Sequence, residues 1–370
     1  MPYVPDISKQ YVLEALESNH LQGDGPFTAR ASKMISNLVG GGHVLLTPSC
    51  THALEMATML GNIGPGDEVI LPSYTFTSAA TAITKFGATP VFVDIEMDTK
   101  GIDVNLVREA ITPRTKAISW VNYAGVAPDI EGLQSLAKEF NLLLIEDNAH
   151  GLGGSYLGKP LGSFGDFAAQ SFHATKNIQC GEGGALVVNN PKYIERAEII
   201  REKGTDRSRF IRGEVQKYQW LDQGSSYLLA EPLSALLTGQ LENMNEIQRH
   251  RLDVFSHYVQ KISHSAIPSQ EFSMDSLFIS QENKVAHMFY IIASDRIIRD
   301  SLKNKLNKKS IYATSHYVPL DSSSAGIKFG KRKSILPKSK SLSETILRLP
   351  LHMSLNFSQV EIVTELLVQK

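Results

Sequence analysis

Cysteine is almost missing from this 370-residue chain: Cys50 and Cys180 are the only two. So few exclude a disulfide-stapled scaffold and agree with a reducing compartment. An excess of charge is missing as well, with 37 basic residues against 38 acidic ones. No basic run interleaves with aromatic residues in the way a nucleic-acid surface requires. The most basic stretch, Lys328 to Lys340, is diluted by Gly, Ser and Pro and reads as a solvated loop. No apolar run approaches the length of a membrane span. The opening Met1-Pro-Tyr-Val-Pro5 has neither the basic nor the apolar region of a secretory leader. Histidine and cysteine spacing for zinc is absent. Asp94-Ile-Glu-Met-Asp98 lacks the glycine and the terminal glutamate of a calcium loop. Gly153-Gly-Ser-Tyr-Leu-Gly-Lys159 comes near a phosphate loop, but Pro160 stands where the magnesium-binding hydroxyl belongs, so a hairpin is expected. The chain is expected to be cytoplasmic, with no metal, no nucleic acid and no membrane partner.

What is present is a long alternation. Apolar strands are expected at His43–Thr47, Glu68–Leu71, Thr89–Val93, Lys116–Val121 and Leu142–Ile145, with helical stretches between them. Such alternation predicts right-handed βαβ units and a mostly parallel sheet covered on both faces. Strands near Phe167–Ser171 and Ala185–Val188 bring the sheet to seven. An amphipathic helix is expected over 7–19, with Val12, Leu13 and Leu16 on its apolar face. Gly204 to Gly224 reads as a long functional loop rich in Arg and aromatic residues. Beyond about residue 262 the texture changes. Strands at Met288–Ile292 and Ser310–Thr314 and helices at Ile297–Leu306 and Gln359–Leu367 predict a smaller α+β domain. The expected division is a large domain, 1–245, and a small C-terminal domain, 246–370.

Ligands on open α/β sheets sit beyond the carboxyl ends of the strands. After the first strand comes Thr47-Pro-Ser-Cys-Thr51-His52, which suits either an ordinary N-cap at Ser49 or an anion cradle at a helix start. After the second comes Pro72-Ser-Tyr-Thr-Phe76, whose aromatic residue is either core or the cover of a flat ring. After the fifth comes Glu146-Asp147-Asn-Ala-His150. A buried acid there needs a partner, in a structural ion pair or in a ligand. After the sixth comes Ser171-Phe-His-Ala-Thr-Lys176, followed by Gly181, Gly183 and Gly184. A lysine on such a turn is either solvated or a Schiff-base former. Anion cradle, ring cover, acid and lysine together are what pyridoxal 5′-phosphate (PLP) requires.

These motifs, with Pro65-Gly-Asp-Glu-Val-Ile-Leu-Pro-Ser-Tyr-Thr-Phe76 and Gly181-Glu-Gly-Gly184, resemble the DegT–StrS family of sugar-nucleotide aminotransferases over essentially the whole chain. The resemblance implies an aspartate-aminotransferase-like α/β fold (PLP fold type I) and PLP as cofactor, joined to Lys176 as an internal aldimine. It implies that Lys176 also shuttles protons and that Asp147 pairs with the pyridine nitrogen. His150 is implied beside the ring and Phe76 over it, with Thr51, His52 (through backbone groups) and Ser171 on the phosphate. The family completes each site across a homodimer interface with an asparagine before a tyrosine. Ser226 occupies that place here, in Gly224-Ser-Ser-Tyr227. Lys203-Gly-Thr-Asp-Arg-Ser-Arg-Phe210 and Lys217-Tyr-Gln-Trp220 resemble the subgroup that aminates C4 of dTDP-4-keto-6-deoxy-glucose. Implied partners are therefore that sugar nucleotide and L-glutamate, in a ping-pong transamination (EC 2.6.1 class) serving surface polysaccharide of O-antigen or enterobacterial-common-antigen type. Lys217, Tyr218 and Trp220 are candidates for the nucleotide, and His316 and Tyr317 for the sugar. Amination at C3 or a non-catalytic PLP-binding role are the alternatives. A dehydratase relative carries histidine in place of the lysine, and Lys176 argues against it.

Overall fold

A computed structural model describes residues 3–263, 271–274 and 285–368. Strands β1 (His43–Thr47), β2 (Glu68–Pro72), β3 (Thr89–Val93), β4 (Thr115–Val121) and β5 (Leu143–Asp147) come first. Helices Cys50–Leu60, Thr77–Thr84, Val104–Ala110 and Ile130–Phe140 lie between them. The short strands β6 (Ser155–Tyr156) and β7 (Lys159–Pro160) pair antiparallel, so the glycine-rich segment before Pro160 is the expected hairpin. Then come β8 (Phe167–Ser171), β9 (Gly184–Val188), β10 (Phe272–Ser273), β11 (Phe289–Ala293), β12 (Lys331–Arg332) and β13 (Ile346–Leu349).

The main sheet has the order β1-β9-β8-β5-β4-β2-β3-β12. It is parallel except for β9, which runs antiparallel to both neighbours, β1 and β8. The expected seven strands are one short, because β12 adds a two-residue edge beside β3. Nothing in Lys331-Arg332 carries an apolar strand pattern. Its pairing follows from Asp321, whose carboxylate takes the Ser73 hydroxyl at 2.6 Å at the end of β2 and also binds Arg332.

This arrangement positions the site. Since β9 opposes both β1 and β8, all the other strands point one way, and their carboxyl ends meet along one edge. Thr47, Gly184 and Ser171 lie side by side there. Gly184 is required at that point, because a Cβ would fall 2.3 Å from the Ser49 carbonyl carbon and 2.4 Å from the Cys50 nitrogen. The hairpin thus passes against the start of helix Cys50–Leu60. Alternate strand residues enter different cores: Leu186 and Val188 pack on one face of the sheet, Ala185 and Val187 on the other. That period of two over wholly buried strands is what a doubly covered sheet requires.

The C-terminal part carries an antiparallel sheet, β10-β11-β13. Its core takes in Met288, Phe289 and Leu347 with Val254 and Val360 of helices Met244–Ser263 and Phe357–Val368, and it also includes Tyr74, Val121 and Tyr123 from the ends of β2 and β4. The ends of β2 and β4 therefore pack against the second sheet. Ser310–Thr314 forms no strand. Ser310 adopts a left-handed φ of 59°, and only Thr314 pairs, with Arg348. The first helix, Asp6–Glu17, buries Ser8 and Ala15 and leaves Leu13 and Leu16 exposed. Its packing rests on close approach. A Cβ at Gly239 would lie 2.4 Å from Ser8 Oγ, and that hydroxyl donates to the Leu236 carbonyl at 3.1 Å. Among the described residues, no helix is long and apolar enough to cross a membrane.

Candidate active site

The edge where the strands end opens into a cavity of about 1360 Å³. Thr51, Phe76, Asp147, His150, Ser171, Lys176, His316 and Tyr317 all line it. Chain segments from residues 51 to 317 thus supply one wall each, although each was only ambiguous by itself.

Lys176 stands on a loop that folds back on itself. Its N–H donates to the His173 carbonyl at 2.8 Å, and the Ala174 N–H donates to that of Gly181 at 2.8 Å. Asn177 anchors the loop by donating from Nδ2 to the Val285 carbonyl at 2.8 Å and pairing through Oδ1 with His287 Nδ1 at 3.1 Å. The Lys176 ammonium has no hydrogen bond or ion pair with any described residue. Burial is the main reason its pKa falls from 10.5 to about 8; the nearby carboxylate of Asp147 opposes the fall, and the charge of Arg348 adds to it. A lysine so placed is partly neutral near pH 7 and available as a nucleophile.

Asp147 ends β5 and is buried. One carboxylate oxygen accepts the Ala149 N–H at 3.0 Å, and Cys50 Sγ lies 4.0 Å from it. Burial raises this carboxyl's pKa, against the Ala149 N–H and the charge of Lys176. Its neighbour Glu146 points to the opposite side, where Asn122 Nδ2 and the N–H groups of Gly162 and Phe164 satisfy it at 2.7 to 3.0 Å. The two adjacent acids therefore divide into one structural and one facing the cavity.

His150 is buried and accepts the Ala124 N–H at Nδ1, 3.3 Å away. Its ring stacks on His287 at 4.2 Å. Burial, then the charge of Lys176, push its pKa well below the usual value, so the ring is neutral with its proton on Nε2. His316 is fixed by partners on both nitrogens, Tyr123 Oη at 2.9 Å and Arg348 Nη1 at 2.9 Å. Arginine only donates, so Nε2 accepts and Nδ1 carries the proton toward Tyr123. Tyr317 stacks on His316 at 3.8 Å, and the Phe76 ring lies 6.1 Å from it at a tilted angle. Phe76 itself is 55% exposed, an aromatic face turned to the cavity instead of the core.

The N-cap reading of the Thr47–His52 segment holds. Ser49 caps helix Cys50–Leu60 by accepting the His52 N–H at 3.2 Å. That leaves the first amides, Cys50 and Thr51, without an intrahelical acceptor at the positive end of the helix. The hydroxyls of Thr51 and Ser78 lie 2.7 Å apart beside them. His52 does not line the cavity: its N–H is spent on Ser49 and its ring packs 5.3 Å from Tyr227. Ser226 is also outside it, exposed on a single bridge to Glu202. Lys217, Tyr218 and Trp220 lie elsewhere on the surface. Tyr218 packs edge-on to Phe210, and the Trp220 indole donates to the Asp222 carbonyl at 2.7 Å while remaining 79% exposed. The arginines of that segment are paired: Arg207 with Glu202, Arg209 with Glu195 and Glu214, and Arg212 with Glu198 and Glu214. Residues 207–211 form a short helix within the expected loop.

The lining residues that the sequence reading did not single out include Cys50, Ser78, His287 and Arg348. Only Arg348 left a signal, as an arginine inside the apolar run Ile346-Leu-Arg-Leu349.

The site fits PLP on its own chemistry. An unpartnered lysine, a buried carboxylate, two open helix amides among hydroxyls, and an exposed phenyl face converge on one cavity. Fold and site together define a PLP-dependent transaminase of fold type I. The family model for the DegT/DnrJ/EryC1/StrS aminotransferases matches residues 5–368. The chain belongs to that family. The spore coat polysaccharide biosynthesis protein SpsC of Bacillus subtilis is 31% identical over 99% of this chain and 95% of its own. PseC of Helicobacter pylori, an aminotransferase in pseudoaminic acid biosynthesis, superposes with a TM-score of 0.89 at 26% identity, over 99% of this chain and 96% of its own. Spr1654 of Streptococcus pneumoniae, assigned as a sugar aminotransferase and solved in its PMP form, gives 0.88 at 27%, over 99% and 97%.

Proposed function

We propose that this enzyme transfers the amino group of L-glutamate to the keto carbon of a nucleotide-linked 4-keto-6-deoxy sugar, with dTDP-4-keto-6-deoxy-glucose as the substrate and a 4-amino-4,6-dideoxy sugar as the product. The observation that carries the reading is the convergence of Lys176, Asp147, His150, Phe76 and Thr51 on one cavity. Its size suits a sugar above a flat ring, and the role of SpsC in spore coat polysaccharide biosynthesis supports a place in surface polysaccharide assembly. Bound PLP supplies an aldehyde that captures amines and a pyridinium that draws electrons from the adjoining carbon. Asp147 keeps the ring nitrogen protonated. Lys176 holds the aldehyde at rest and, once released, moves a proton at the substrate carbon. His150 would lie beside the ring and Phe76 over it, and Thr51 and Ser171 would hold the phosphate with the open helix amides. His316 and Tyr317 face the sugar.

The same reading divides the chain into a cofactor-binding part, 1–245, and a small part, 246–370, and makes it a cytoplasmic homodimer. Lys217, Tyr218, Trp220, His52 and Ser226 then serve the partner's cavity or the interface. Their position outside the cavity of their own chain, with Trp220 uncovered, supports this. The test is product NMR after turnover with dTDP-4-keto-6-deoxy-glucose and L-glutamate. A 4-amino-4,6-dideoxy sugar is expected; a 3-amino sugar or no product overturns the substrate assignment.

A further inference from the structure

His287 lines the cavity on the segment that leads into β11, and none of the roles assigned above uses it. It is buried. Burial, then the charge of Lys176, push its pKa well below the usual value, so the ring is neutral and carries one proton. Asn177 decides where that proton sits. The Asn177 amide donates from Nδ2 to the Val285 carbonyl at 2.8 Å, which leaves its Oδ1 to accept. His287 Nδ1 lies 3.1 Å from that oxygen and therefore donates to it.

The place of attachment gives this bond its weight. Among the described residues, the hydrogen bonds and ion pairs of residues 173–176 stay within 173–182. Lys176 N–H goes to the His173 carbonyl, Ala174 N–H to that of Gly181, and the His173 ring to Thr175 and Glu182. Asn177, the next residue after Lys176, reaches out of the turn, and both of its side-chain bonds end on 285–287. That segment is itself clamped. The buried Arg251, on helix Met244–Ser263, donates to the carbonyls of Ala286, His287 and Leu351 at 2.6 to 3.2 Å. The His287 ring also stacks on His150 at 4.2 Å and 18°. One imidazole thus joins the Lys176 turn, the residue that follows β5, and the entry to the second sheet. A phenyl ring could fill the stack but could not donate to Asn177.

We propose that His287 is a positioning residue for the transamination: through Asn177 it ties the Lys176 turn to the second sheet, so that the seating of that sheet sets where the Lys176 amine stands. This rests on the reading of Lys176 as the group that serves both half-reactions. The amine ends a flexible four-carbon stem, so its placement depends on the backbone that carries it. Small misplacements of a reacting group are costly in rate.

The test uses two variants that divide the imidazole. His287→Phe keeps a flat ring against His150 and loses the donor. His287→Asn keeps an N–H near the place of Nδ1 and loses most of the ring. In the cofactor-free protein, hydrogen exchange of the 172–181 peptide, read by mass spectrometry, should quicken about fivefold in His287→Phe, the worth of one hydrogen bond, and stay near wild type in His287→Asn. In the PLP-loaded enzyme, stopped-flow absorbance follows L-glutamate and, from the PMP form, dTDP-4-keto-6-deoxy-glucose. In His287→Phe both saturated rates should fall by a common factor of about tenfold or more, with half-saturating concentrations within about twofold of wild type. His287→Asn should recover most of that loss. Asn177→Ala should reproduce it, and the double variant should add little, because both changes break one link. A loss confined to one half-reaction would make His287 a substrate contact, and a His287→Asn no better than His287→Phe would make it packing; either overturns the proposal. So does a lowered melting temperature with unchanged rates. Inertness of the wild type toward glutamate or the keto sugar would overturn the corresponding substrate reading. Exchange unaltered by His287→Phe would overturn the proposal whatever the substrates are.

Discussion

Two regions of this chain are rich in cations and aromatic rings, and they use them in opposite ways. In the 204–224 segment each arginine, itself partly exposed, meets a glutamate. In the cavity, among the described residues, the Lys176 side chain has no hydrogen-bond or ion-pair partner and the Arg348 side chain pairs only with a histidine. Exposed pairs in water contribute little and are easily replaced. A cation kept from water without a counter-charge is costly, and a fold tolerates it where a ligand completes it. The contrast teaches that in this molecule an unpaired, enclosed cation marks chemistry, and a paired, exposed one marks scaffolding.

Substitution of Lys176 should break the contrast most severely. Lys176→Ala is expected to lose the absorbance band of the protein-bound cofactor and to lower multiple turnover with glutamate and keto sugar on the order of 10⁴-fold or more. Retained full turnover would remove Lys176 from the mechanism. Asp147→Asn is expected to bind the cofactor yet react on the order of 10²-fold more slowly, because an uncharged partner no longer holds the proton on the ring nitrogen. Unchanged half-reaction rates would show that Asp147 is structural, like Glu146.

A pH profile sharpens the comparison at smaller scale. With its pKa lowered from 10.5 to about 8, Lys176 gains neutral amine as pH rises through 8. Capture of PLP by the cofactor-free protein should therefore accelerate about tenfold between pH 7 and 9 and then level off. A rise that continues past pH 10 would mean an ordinary lysine. The sign for stability is the same. The unfolded lysine keeps its proton up to pH 10.5, so the cofactor-free protein gains stability relative to Lys176→Met as pH rises from about 8 to 10.5. The smallest effect belongs to the paired region. Arg212→Gln should change melting by no more than the ~1 kcal/mol of an exposed ion pair and leave the glutamate half-reaction within about twofold. A large loss of activity would turn that segment from scaffold into site.

Much of this was legible in the chain. Alternating apolar runs and turn residues carried the βαβ order, because a strand covered on both faces leaves a plain apolar signature. Residues following those runs carried Lys176, Asp147, His150, Phe76 and Thr51, since strand ends in an open sheet share one edge. The eighth strand was not legible: Lys331-Arg332 pairs through Asp321 and Ser73, without an apolar pattern of its own. Nor was the buried face of the first helix, which follows from the fit of Ser8 over Gly239 and not from the leucines.

The sequence by itself determined which residue types stand at the strand ends, because motif spacing is local and covalent. The tertiary structure alone decided which charges go unpaired. Glu146 and Asp147 are adjacent in the chain, yet one is satisfied by three donors and the other faces the cavity. Arg212 and Arg348 are the same residue type, separated by whether the described partner is a glutamate or an imidazole. Pairing depends on what packing brings within a few ångströms, and that distance is set by the folded sheet and by the second sheet packed against the ends of β2 and β4.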